Sequence, residues 1–258
     1  MFSYRGIENK IYVSASNITD NVKSIDRLFD IGVAGVITKT ISPVQNCNSS
    51  EKVWKQNNTI YNSTQYSSRS ILSWVEILNN YANKGKLVIP SIFAPDDKEL
   101  LKLAQTMQEV GVEAIELGIS CPNDNYNNIN ITKSMEKLKQ KIHIPLYVKL
   151  NAMNLKIEML KELEKQGVNG IVLSDSFPIM YWNGYDYVRA GMSGEAIRED
   201  VIASIKKARY QGIKCEIVGT GGIYEKEHIA AYLAAGADAV GICSCLYVNG
   251  LEYANSLF

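Results

Sequence analysis

Residues 213–244 read IKCEIVGTGGIYEKEHIAAYLAAGADAVGICS. A short apolar run, Glu216 to Val218, gives way to adjacent glycines at Gly221 and Gly222. A helix-length stretch follows, closes at Ala235-Gly236-Ala237, and leads into a second apolar run, Ala239 to Ile242. Strand, helix, closing glycine and strand is the order of a parallel pair joined by a crossover helix. The same rhythm extends back to the N-terminus. Further runs rich in Val and Ile stand at Ile11–Ser14, Gly35–Thr38, Leu87–Ser91, Ala114–Leu117, Leu146–Leu150 and Gly170–Leu173. Glycines punctuate the approach to several of them, at Gly32, Gly111, Gly167 and Gly212. Helical spacing fills the gaps. Leu100, Leu101, Ala104 and Met107 share a face, as do Ile157, Leu160 and Leu163, and then Ile197, Val201, Ile205 and Ala208. Trp74, at helical spacing with Ile77 and Leu78, reads as core. Eight such strands in 258 residues predict one α/β domain over residues 1–258, a closed (β/α)8 TIM barrel rather than a doubly wound open sheet.

Composition narrows the partners. Lys and Arg total 27 and Asp and Glu total 27, so the formal net charge is zero. That balance gives no electrostatic case for nucleic acid or an anionic membrane. No apolar run approaches the ~20 residues of a membrane span, and no signal-peptide pattern follows Met1, so a cytoplasmic protein acting on a small molecule is expected. The five cysteines are odd in number and form no CxxC pair, so no metal site is expected.

In such a barrel the chemistry sits where the strands end. Val218 to Ile223, with its glycine pair and a helix expected to start at once, suits a phosphate, and Val240-Gly241-Ile242-Cys243-Ser244 adds N–H groups and a hydroxyl. Ile119-Ser120-Cys121-Pro122-Asn123 places a thiol at the barrel mouth, where it can serve as a base. Thr38-Lys39-Thr40 and Val148-Lys149-Leu150 each end a strand with a lysine, and a lysine inside an apolar run rarely lacks a partner. Two lysines at one mouth suit an anionic cofactor and developing negative charge. The long stretch from Ile41 to Ser68 reads as a loop, either a surface excursion or a lid. Tyr181-Trp182-Asn183-Gly184-Tyr185 reads as a second polar-aromatic loop that either caps a ligand or lies on the surface.

Taken in order, these motifs resemble those of the soluble dihydroorotate dehydrogenases over nearly the whole chain. The resemblance implies FMN as cofactor. Its contacts fall on Ala15, Ser16, Lys39, Thr40 and Lys149, on Gly191 and Gly194 of Ala190-Gly191-Met192-Ser193-Gly194, and on Gly221, Gly222 and Ser244. It implies Cys121 as the proton-abstracting base, Lys149 as stabiliser of negative charge, and Lys39 as the residue that orients substrate and cofactor. Asn62, Asn123, Asp175 and Ser176 fall on its substrate positions, and a homodimer is the family's usual state. The chain departs from the pattern at two ring-binding asparagines, where it has Gly118 and Asp175, and at a phosphate-loop glycine, where it has Cys243. The expected activity is therefore oxidation or reduction of a C–C bond beside a carbonyl, in dihydroorotate, orotate or a related compound. A non-pyrimidine substrate, or a non-redox barrel acting on a phosphorylated ligand as a lyase or isomerase, is the alternative. The departures predict weak orotate binding, strengthened by changing both Gly118 and Asp175 to Asn.

Overall fold

The computed structural model describes residues 3–6, 10–44, 52–119, 123 and 130–258. Nine parallel strands hydrogen-bond in the order Val88–Ile89, Gly35–Ile37, Ile11–Val13, Ala239–Ile242, Glu216–Thr220, Gly170–Leu173, Leu146–Leu150, Ile115–Leu117 and Ser91–Ile92. The first and last are two halves of one segment, separated by Pro90. Proline has no N–H to give an unbroken ladder. The third barrel strand accordingly pairs with the second through its first half and with the fourth through its second half. The ring thus closes with eight strands, as the sequence predicts.

Helices Val22–Ile31, Ile71–Asn83, Asp97–Glu109, Ile131–Lys139, Ile157–Lys165, Arg198–Tyr210 and Lys226–Ala234 make the crossovers. Asn21, Ser70, Asp96 and Asn130 cap four of them by accepting backbone N–H groups of the first turn. The face of Asp97–Glu109 that packs inward is Leu100, Leu103, Ala104 and Met107, with Leu101 only half-buried. Trp74 is fully buried in the core, and its indole N–H donates to Ser67 Oγ at 2.8 Å. No helix among the described residues is long and apolar enough to cross a membrane.

Successive side chains of a strand point to opposite faces. Ile11, Val13, Ile115, Leu117, Leu146, Val148, Ile171 and Ile217 pack outward into the layer under the helices. Tyr12, Ile37, Ile89, Ala114, Tyr147, Val172, Val218 and Ala239 form a separate cluster that fills the lower barrel. Tyr4, from the short turn Tyr4–Gly6, plugs that cluster edge-on against Tyr12 and Tyr147, at centroid distances of 4.6 and 4.8 Å. One carboxylate ties the plug to the barrel. Glu216 Oε2 accepts from the Tyr147 hydroxyl at 2.6 Å and from the Tyr4 N–H at 3.0 Å, while Oε1 accepts from Ser3 Oγ and from the Arg5 N–H.

Two stretches that read as loops are strands instead. The long segment after the second barrel strand contains a hairpin, Val53–Gln56 with Thr59–Asn62, and residues 177–194 form another, Phe177–Trp182 with Tyr187–Gly194. The two hairpins join through Asn62↔Gly191 to Thr59↔Gly194, giving an antiparallel sheet of four strands beside the mouth. Tyr181 packs between Trp54 and Tyr61, and Trp182 and Tyr185 are exposed near the far turn. The helix expected directly after Gly222 begins only at Lys226. The helix that does start at once is Ser244–Asn249, after the eighth barrel strand.

Glu216→Ala leaves a buried hydroxyl and a buried N–H without an acceptor. It is expected to lower the unfolding free energy by about 3 kcal/mol, and Tyr147→Phe by about 1 kcal/mol. Urea unfolding followed by circular dichroism measures both. A Glu216→Ala loss below about 1 kcal/mol would remove the carboxylate from its place in the floor.

Candidate active site

The same alternation that fills the floor builds the chamber above it. Two residues beyond Tyr12 comes Ser14, beyond Tyr147 comes Lys149, beyond Val218 comes Thr220, and beyond Ala239 comes Gly241. All four line one pocket, with about 970 Å³ of empty space counting its open mouth, roofed by Val53, Ile60, Asn62 and Ser193 of the antiparallel sheet. Of the residues singled out in the sequence, Ala15, Ser16, Lys39, Thr40, Asn62, Asn123, Lys149, Asp175, Ser176, Gly221, Gly222 and Ser244 line it together. Gly191 and Gly194 do not line it. They pair with Asn62 and Thr59, and a Cβ at Gly194 would lie 2.2 Å from the Asn58 carbonyl, so both positions serve the sheet. Cys121 lies outside the described residues. Thr64, Gln65, Ser174, Ile197 and Tyr247 line the pocket without a signal in the sequence.

One part of the pocket wall suits an anion. Gly221 and Gly222 take φ of +129° and +65°. A Cβ on Gly222 would meet the Gly194 carbonyl oxygen at 2.7 Å and Arg198 Cβ at 2.8 Å, so the chain passes there only as glycine. Among the described residues nothing accepts from the Gly221 or Gly222 N–H, although Gly222 is buried. Buried N–H groups are almost always paired, and two at one turn form a cradle for a phosphate. Ser244, 6% exposed, opens the adjoining helix. Gly241 allows close approach of the strands beneath, since a Cβ there would sit 2.2 Å from Ser14 Oγ.

Another part of the wall carries charge. Lys39 and Lys149 are each 8% exposed. Lys39 Nζ donates to Thr64 Oγ1 at 3.0 Å, and Lys149 Nζ lies 3.6 Å from Asp175 Oδ1. Glu116, on the fourth barrel strand, is a buried acid that the sequence reading passed over. Burial pushes its carboxyl up, Lys149 and a hydrogen bond with Ser91 draw it down, and Asp175 pushes it up again. A charged residue inside an apolar strand was the available signal, the same one that marked the lysines. Burial raises all three described thiols. Cys215 and Cys245 are pushed up to about 12, chiefly by desolvation, which leaves them inert. Cys243 faces the pocket, raised by burial and drawn back by Ser16 and the two lysines.

Asn123 is tied down. Its Nδ2 donates to the carbonyls of Asn62 at 3.0 Å and Thr64 at 2.9 Å, while Gln65 Nε2 donates to its carbonyl at 3.0 Å. Asn62 Nδ2 in turn donates to the Gly191 carbonyl at 3.1 Å. Asn123 itself is thereby pinned to the antiparallel sheet and the residues that follow it. Asn123 Oδ1 is buried and has no partner among the described residues, which leaves an acceptor for a ligand. Gly118 resolves differently from the sequence expectation. A Cβ there would lie 2.7 Å from Ser91 Oγ and 3.0 Å from Thr40 Oγ1, and those hydroxyls sit 3.2 Å apart in a hydrogen bond. The hydroxyl pair takes up the space of a side chain, so Gly118→Asn does not simply restore an amide.

Comparison with known proteins agrees with this geometry. A family model described as dihydroorotate dehydrogenase matches residues 6–257. The catalytic subunit of dihydroorotate dehydrogenase B (NAD(+)) from Thermoplasma acidophilum is 27% identical over 263 residues, covering 95% of this chain and 85% of that protein. The subunit of the same description from Thermoplasma volcanium is 28% identical over 258 residues, covering 94% and 84%. Dihydroorotate dehydrogenase A (fumarate) from Lactobacillus helveticus is 25% identical over 185 residues, covering 64% and 58%.

An anion in the glycine cradle would stabilise the folded chain by mass action. Inorganic phosphate is expected to raise the melting temperature of the wild type and not that of Gly222→Ala, whose own melting temperature falls by several degrees. An equal phosphate effect in both proteins would put the anion elsewhere.

Proposed function

The chain belongs to the dihydroorotate dehydrogenase family, and from that premise we propose that it is an FMN-dependent oxidoreductase acting on a C–C bond beside a carbonyl in a small molecule. One observation carries the reading. The pocket is lined both by a pair of glycine N–H groups from which no described residue accepts and by two buried lysines. A flavin mononucleotide needs that combination, an anion cradle for its phosphate and positive charge beside its ring. No dinucleotide fingerprint appears in the sequence, which favours FMN over FAD.

In this reading Gly221, Gly222 and Ser244 hold the phosphate, and Ala15, Ser16 and Thr40 line the flavin. FMN, when bound, supplies the two-electron chemistry that no side chain can. Lys149 supplies positive charge where the ring becomes electron-rich. Cys121 holds or takes the proton on the carbon beside the carbonyl. Lys39, steadied by Thr64, orients the substrate. Asn123 and Asn62 fix its polar groups. Asp175 and Ser176 complete the substrate wall. The description of the Thermoplasma relatives as catalytic subunits supports a separate electron-transfer partner over a plain homodimer.

The role of the thiol is testable with dihydroorotate and 5,6-dihydrouracil as anaerobic reductants of the bound flavin. Cys121→Ala is expected to keep flavin and to lose flavin reduction by more than about 10²-fold, the range that general-base catalysis contributes. Cys121→Ser is expected to be slow, with a rate that climbs toward high pH because the hydroxyl is a far weaker acid than the thiol. Flavin reduction at the wild-type rate in Cys121→Ala would remove the thiol from the mechanism.

A further inference from the structure

We propose that Asp175 sets substrate choice, making the pocket favour an uncharged substrate that offers an N–H donor over one that carries a carboxylate. The inference rests on the functional reading above and deepens it. Asp175 follows the sixth barrel strand and lies in the pocket wall with Ser174 and Ser176. Its Oδ1 accepts from the Ser176 N–H at 2.9 Å and faces Lys149 Nζ at 3.6 Å, with side-chain exposures of 17% and 9%. The carboxylate is therefore held at the wall rather than turned out to water.

The charges around it decide its effect. On the adjacent fifth strand Lys149 offsets it, while Glu116 on the fourth adds a second acid beneath. Between them the wall at Gly118 is made of the Thr40 and Ser91 hydroxyls, which are neutral. The second strand, which carries Lys39 at its end, stands four places from the sixth in the ring of eight, directly across the mouth. A substrate carboxylate drawn to Lys39 faces the Asp175 charge across the chamber. At an effective dielectric of about 20, a like charge roughly 10 Å away costs on the order of 1.5 kcal/mol, or about tenfold in affinity. An amide in place of Asp175 would carry no such charge and could both donate and accept. A carboxylate accepts only, so the complementary substrate group is an N–H.

The test compares two ligands that differ only by a carboxylate. Flavin-loaded wild type and Asp175→Asn are titrated with orotate and with uracil, following the flavin difference spectrum. The ratio of the orotate Kd to the uracil Kd is expected to fall by at least about tenfold in Asp175→Asn, mainly through tighter orotate binding. A ratio that is unchanged or rises in the variant would overturn the role of Asp175. Flavin uptake is scored first. A wild type that takes up no flavin refutes the functional reading, whereas flavin-loaded proteins with equal ratios refute this inference alone.

Discussion

A strand in a closed barrel can send a side chain to only two places, outward under the helices or inward to the axis. Everything chemical in this protein follows from that alternation. Tyr147 and Lys149 are both inward residues of one strand, the first in the floor and the second at the mouth. Their neighbours Leu146, Val148 and Leu150 pack outward in the apolar layer. The floor must be solid for the mouth to be a site. Tyr4, Tyr12, Tyr147 and Glu216 make it so with edge-on rings and one shared carboxylate. Above that level the inward positions turn small or polar, as Ser14, Thr220, Gly241 and Ser174, and space opens for a ligand.

The eight barrel strands were legible because each is a dense apolar run bounded by turn residues, a local signal. Only the break at Pro90 altered a strand, and the residue itself announces it. The antiparallel sheet was not legible. It depends on Asn62 meeting Gly191, 129 positions apart, and neither hairpin carries an apolar alternation strong enough to stand out from a polar loop. The family motif pointed to Gly191 and Gly194 as cofactor contacts; both pair with the neighbouring hairpin, and a Cβ at Gly194 would meet the Asn58 carbonyl. The shift from Leu101 to Leu103 in one helix face has the same origin, since the packing partner, and not the period alone, picks the buried edge.

Within the site, the glycine pair, both lysines and Asp175 were read from sequence and share one chamber. What sequence could not supply was their pairing. Lys149 has Asp175 at one side and Glu116 below, and Lys39 has Thr64. These partners come from the sixth strand, the fourth strand and the roof. Their assembly turns a set of separate motif positions into one charge pattern. The Thr40–Ser91 hydroxyl pair is likewise a contact between two strands, and it explains how this chain keeps a glycine at position 118 without leaving a void.

The central claim is that one chamber over a tyrosine-lined floor holds FMN. It is tested most directly by heat-denaturing the purified protein, removing the precipitate and identifying what is released by chromatography with mass spectrometry. The account predicts FMN, approaching one equivalent per chain after reconstitution with added flavin. Release of FAD, or a chain that retains neither flavin after incubation with both, would contradict it.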